Sequence, residues 1–131
     1  MNKRVALLVV SSRLQTKRDL LEILEGLPLN IYVAGSLEQA ADSLEKHWID
    51  IVLSDERLSD GTYHDILALT IDRPHKTQLA VLLTTGGLDE YREAMRLGVT
   101  EVVRSPFQPT DIELAIIYAM RKLPTAVRAA A

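Results

Sequence analysis

The chain has 131 residues, of which 47% are hydrophobic and 25% charged, with a net charge of −3. That is enough apolar material for one domain with a core and too little chain for two ordinary domains, and it excludes a disordered, highly charged polymer. With no cysteine, disulfides, thiolate zinc sites and a cysteine nucleophile are excluded as well.

Val5 to Val10 is an unbroken, valine-rich run, the pattern of a strand buried on both faces. It is far shorter than a membrane span, and a signal peptide would need a longer apolar centre and a small-residue cleavage site. The expectation is a soluble cytoplasmic domain, with neither membrane nor nucleic acid as direct partner, since no global basic field is present. After Ser11-Ser12-Arg13, Leu20, Leu21, Ile23, Leu24 and Leu27 form an apolar helical face. Thr16, with Asp19 three residues on, reads as its start. A second strand is expected at Ile31 to Ala34. The next helix has Leu37, Ala40, Ala41 and Leu44 on one face, opened by a Ser36/Gln39 capping box.

Ile51-Val52-Leu53 reads as the third strand, Leu79 to Leu83 as the fourth, and Val102-Val103 as the fifth. Leu88, Tyr91, Ala94 and Met95 make a helical face. Ile112, Ala115, Ile116, Ala119, Met120 and Leu123 make the last, with Thr110 and Glu113 as its capping box. Strand and helix alternate, so short links and right-handed crossovers predict an α/β, doubly wound, five-stranded parallel sheet with helices on both faces. The domain is expected to span 1–124, with 125–131 a frayed tail.

In such sheets the site lies at the carboxyl ends of the strands. Four segments occupy that edge: Ser11-Ser12-Arg13, Ser54 to Gly61, Thr84-Thr85-Gly86, and Ser105-Pro106-Phe107. Asp55, at or just past the end of the third strand, is a candidate nucleophile, metal ligand or orienting acceptor. Its plainer reading is a turn residue or helix cap. Glu56 is expected to point away from Asp55 and to be structural or exposed. His47, His64 and His75 have no metal-ligand spacing and read as surface or helix-end residues, and Trp48 as a cover for the core edge.

The run Asp50-Ile51-Val52-Leu53-Ser54-Asp55-Glu56-Arg57-Leu58-Ser59-Asp60-Gly61, the strand ending Leu83-Thr84, Leu97-Gly98-Val99-Thr100, and Pro106-Phe107 together resemble the receiver domain of two-component response regulators. The likeness runs from Lys3 to about Leu123, apart from a one-residue shortening between Thr84 and Gly98. It implies a flavodoxin-like fold with strand order 2-1-3-4-5. It also implies Asp55 as phosphoacceptor from a histidine kinase or phosphotransfer protein, and Thr84 as the residue contacting the phosphoryl group. Output would pass through contacts with a downstream protein, without turnover of a separate substrate. The face from about Leu88 to Leu123 would serve interaction and homodimerisation. A stand-alone protein with no appended output domain is expected.

Several positions depart from the family pattern. Ser11 and Ser12 stand where the family places two acids, and Ser105 where it places a lysine. Val102 matches the aromatic switch position, and Ser59 replaces a proline. Only Asp55 remains as a carboxylate for Mg²⁺, so metal binding should be weak or absent and phosphoryl transfer slow. Thr85, Ser105 and Pro106 complete the expected pocket, and the Ser105–Pro106 bond is expected to be cis by resemblance. Arg57 or Arg13 could replace the missing positive charge; the alternative for each is to face water. Two further readings stand beside phosphotransfer. One is a phosphorylation-independent pseudo-receiver that binds partners. The other, more remote, is an FMN-binding flavodoxin-like protein using the hydroxyl-rich Ser11–Thr16 loop.

Overall fold

The computed structural model describes residues 4–71, 73, 75–85 and 87–124. Gly86 and the segment 125–131, for which a loop glycine and a frayed tail were expected, lie outside the described residues.

The main sheet is formed by β1 (Val5–Val10), β2 (Leu29–Ala34), β3 (Ile51–Asp55), β6 (Gln78–Leu83) and β7 (Glu101–Arg104). A two-stranded hairpin, β4 (Arg57–Leu58) and β5 (Gly61–Thr62), follows β3. The helices are α1 (Leu14–Leu24), α2 (Leu37–Lys46), α3 (Tyr63–Ile71), α4 (Leu88–Leu97) and α5 (Pro109–Arg121). All pairings in the main sheet are parallel, in the order β2-β1-β3-β6-β7, which is 2-1-3-4-5 when its strands alone are counted.

Alternation along the strands builds two cores. Val5, Leu7, Val9, Ile51, Leu53 and Leu82 face the layer of α1 and α5, where Leu20, Leu24, Ile112 and Ile116 meet them. Ala6, Leu8, Val10, Val52, Val81 and Leu83 face the opposite layer, with Ala40 and Leu44 of α2, Tyr63 and Ile66 of α3, and Ala94 of α4. The central strands are therefore apolar on both sides, as a parallel sheet covered by helices requires. Leu53 is wholly buried beside the functional edge. Leu53→Ala should lower unfolding free energy by about 2–5 kcal/mol in urea titrations, because the packed layer closes a cavity only in part.

Helix starts differ from their sequence reading in instructive ways. Helix α1 opens at Leu14 behind Arg13, whose side chain makes no cap, so Thr16 lies inside the helix. At α2 the Ser36 hydroxyl accepts the Gln39 N–H at 3.1 Å, as expected, but the Gln39 amide oxygen takes Gly35 N–H at 2.7 Å. A second cap comes from the distant Asp60, whose carboxylate accepts Leu37 N–H at 2.7 Å and Glu38 N–H at 3.1 Å. These two bonds hold its carboxyl below the ordinary carboxylate range. In α5, Thr110 and Glu113 are internal, and Asp111 instead accepts the N–H of Gln108 at 2.7 Å. Pro109 fixes the helix start two residues from where the threonine suggested it.

The histidines and the tryptophan serve the periphery. His47 stacks on Tyr32, and His75 stacks on Trp48 with centroids 3.5 Å apart. Asp50, at the start of β3, is buried and accepts Ala6 N–H at 2.9 Å and Trp48 Nε1–H at 3.2 Å. It fastens the end of the sheet opposite Asp55 and is a structural acid. No helix among the described residues is long and apolar enough to cross a membrane.

Candidate functional site

The register aligns Val10 with Ser54, and Asp55 with Leu82, so the ends of β1, β3 and β6 open onto one edge. Asp55 shares the parity of Ile51 and Leu53, and its side chain is 2% exposed. The wholly buried Ser11 donates its hydroxyl to Asp55 Oδ2 at 2.5 Å. The Ser11 oxygen also accepts the Arg13 N–H at 3.2 Å, which shapes the turn into α1. Arg13 sends Nη2 to within 3.4 Å of Asp55 Oδ1. Its side chain is 59% exposed, so this long contact is worth at most about 1 kcal/mol.

Arg57 takes a different course. Its side chain is 77% exposed, with Nε 3.9 Å from Glu56 Oε2. Of the two arginines offered by the sequence, Arg13 reaches Asp55, and Arg57 lies beside Glu56 at the rim.

Ser12 does structural work. Its hydroxyl donates to the Gly35 carbonyl at 2.8 Å and accepts Ser59 N–H at 2.9 Å. One small side chain thus joins the loops that follow β1, β2 and β3. A carboxylate here could accept the Ser59 N–H but would meet the Gly35 carbonyl as a second acceptor.

Glu56 is the residue that sequence reasoning undervalued. It is 7% exposed, and its carboxylate reaches across to the loop after β6. Oε1 accepts the N–H of Thr84 and of Thr85, each at 3.0 Å, and Oε2 accepts the Thr85 hydroxyl at 2.8 Å. Its own backbone continues toward β6 through Glu56 N–H to the Leu82 carbonyl. Strand alternation turned it away from Asp55 but could not name its partners, because the chain bends at Glu56 and leaves β3. The clue available in the sequence was an acid facing a Thr-Thr pair from the neighbouring strand end.

Thr84 lies two residues beyond Leu82, the register partner of Asp55, and is exposed together with Thr85. Val102 is half-buried on β7 and packs on the α2–α3–α4 side of the sheet. Ser105 and Pro106 are exposed at the end of β7, joined by a cis peptide bond, with Ser105 N–H on the Leu83 carbonyl at 2.9 Å.

The donor set does not fit a divalent cation. Mg²⁺ is held through hard, anionic oxygens. Beside Asp55 stand two serines, one donating to that same carboxylate and the other fastening loops. The nearby Glu56 turns its oxygens to Thr84 and Thr85. Among the described residues, no group of three or more acids and histidines could hold a metal.

Comparison with known proteins agrees with this architecture. No family model matches the chain. The response regulator protein PilR of Pseudomonas aeruginosa is 28% identical over 105 residues, 79% of this chain and 24% of the relative. The regulatory protein LuxO of Vibrio cholerae is 26% identical over 96 residues, 73% of this chain and 21% of the relative. The chain thus spans under a quarter of the length of these relatives. Among solved structures, a response regulator receiver domain protein from Clostridium thermocellum superposes with a TM-score of 0.79 at 25% identity, covering 90% of this chain and 95% of that one. The signal receiver domain of an HD domain-containing protein from Pseudomonas fluorescens gives 0.80 at 21%, covering 92% and 90%. The chemotaxis response regulator CheY4 of Vibrio cholerae gives 0.75 at 16%, covering 89% and 99%.

The fold is the flavodoxin-like arrangement of receiver domains. With the sequence matches, it supports a receiver domain of the response-regulator kind.

Proposed function

We propose that this receiver domain signals through protein contacts that do not depend on phosphoryl transfer to Asp55. The observation that carries the reading is the state of Asp55. Its carboxylate is buried, one oxygen receives Ser11 and the other faces Arg13, the neighbouring Glu56 turns to Thr84 and Thr85, and among the described residues no group of three acids or histidines could hold a metal. Phosphoryl transfer depends on neutralising charge on the equatorial oxygens. Here the side chains that meet the Asp55 carboxylate are one neutral hydroxyl and a mostly solvated guanidinium.

The contact surface in this reading is the face of α4, β7 and α5. Leu88, Met95, Leu114 and Tyr118 expose apolar side chains on these helices. A cavity of about 360 Å³ beside them is lined by Val102, Arg104, Leu114 and Tyr118 among others. The occupant is a downstream protein or a second copy of this chain. A histidine kinase or phosphotransfer protein would dock without delivering its phosphoryl group. The flavin reading finds less support, because the Ser11 and Ser12 hydroxyls are committed to Asp55, Gly35 and Ser59.

Intact mass after prolonged incubation with acetyl phosphate, with and without Mg²⁺, tests the reading. The expected result is an unchanged mass under both conditions. A Mg²⁺-dependent gain of one phosphoryl group, lost in Asp55→Ala, would overturn it and restore Asp55 as a phosphoacceptor.

A further inference from the structure

We infer that Glu56 is a positioning residue, an internal carboxylate that holds Thr84 and Thr85, just past β6, and the first turn of α4 in one arrangement. The inference rests on the phosphorylation-independent reading of Asp55 and supplies what that reading lacks, a means of setting the contact face.

Thr84 and Thr85 follow β6, and both of their backbone N–H groups and the Thr85 hydroxyl find acceptors within the protein. All three go to the one carboxylate of Glu56, at 3.0, 3.0 and 2.8 Å. Buried charged acceptors of this kind make the stronger class of hydrogen bond.

The hold extends into the helix. The Glu56 carbonyl accepts Tyr63 N–H at 3.0 Å, and the Tyr63 hydroxyl donates to Glu90 Oε1 at 2.6 Å. Glu90 lies in the first turn of α4, and Tyr63 is 1% exposed within the core. A single connection, from Glu56 to Tyr63, therefore fixes the loop before α4 through one side chain and the helix itself through another. Gly87 gives α4 no side-chain cap, and the Tyr63–Glu90 bond ties the first turn of the helix to the core from the side. The chain thus carries its own anion for the loop that the family resemblance assigns to an incoming phosphoryl group.

The test is amide hydrogen exchange by NMR on the full chain, with no phosphodonor present. In the wild type, Thr84 and Thr85 amides should exchange at least about tenfold more slowly than in Glu56→Ala, whose loop loses its acceptor. Glu56→Gln keeps an acceptor oxygen for both amides and should retain most of the protection. Thr85→Val, which removes only the hydroxyl bond, should leave the Thr84 amide slow. A folded Glu56→Ala whose Thr84 and Thr85 amides exchange as slowly as the wild type would overturn the inference, and so would fast exchange at both in the wild type. These rates make no reference to Asp55 chemistry, so their failure is separable from a phosphorylated Asp55 seen by mass.

Discussion

Ser11→Asp should make the stability of this protein depend on Mg²⁺. Ser11 is wholly buried, and its hydroxyl lies 2.5 Å from Asp55 Oδ2. A carboxylate at that position removes the donor and brings a second negative charge against a buried one. Two buried carboxylates at contact distance cannot both ionise cheaply, and a loss of about 2–4 kcal/mol is expected in metal-free buffer. The same pair is what a hard divalent cation seeks. Free Mg²⁺ at about 100 times its dissociation constant would return about 2.7 kcal/mol. Thermal unfolding with and without Mg²⁺, at matched ionic strength, should show a rise in midpoint for Ser11→Asp and none for the wild type. An indifferent variant would mean that the missing acid is not what keeps the metal away.

The second large effect concerns Tyr63. Tyr63→Ala should cost about 3–5 kcal/mol in urea titrations, because the ring fills the core between α3 and the sheet. Tyr63→Phe keeps the ring and removes only the bond to Glu90, for about 1–2 kcal/mol. The two substitutions differ in their pH dependence as well. Burial first, then the bond and charge of Glu90 and the charges of Glu56 and Glu93, push the Tyr63 phenol well above its usual pKa. The folded state therefore keeps its proton while the unfolded chain ionises near the ordinary value of about 10. The associated stability is fully present below that value and is lost as pH rises through the folded-state pKa. Wild type should lose stability faster than Tyr63→Phe as pH climbs beyond about 10. Parallel slopes for the two proteins would remove Tyr63 from the alkaline transition.

The sheet was legible because its central strands are unbroken apolar runs whose residues meet a helical layer on each side. Helix α3 was not, since Ile66, Leu67, Leu69 and Ile71 leave no clear polar face across its nine residues. Ser36 caps α2 as read, but caps supplied from elsewhere were missed. Nothing local to Leu37 announces Asp60, and a Thr-x-x-Glu pattern at 110 competed with a proline that had already started the helix. At the site, the position of Asp55 followed from the length of its strand, whereas the fate of its neighbours did not. Alternation turned Glu56 away from Asp55 but could not give its burial or its reach to Thr84 and Thr85, which needed coordinates. Sequence left Arg13 and Arg57 as rivals for Asp55; the turn made by Ser11 carries Arg13 there, and the β4 hairpin carries Arg57 to Glu56.

The most direct measurement is an NMR titration of the backbone amides with beryllofluoride and Mg²⁺, which together imitate a phosphorylated aspartate. A site held by Ser11 and Arg13, with its neighbouring loop already held by Glu56, should leave Ser11, Asp55, Thr84, Thr85 and Leu88 unmoved. Saturable shifts at Asp55 that spread through Thr84 into α4 would contradict the account.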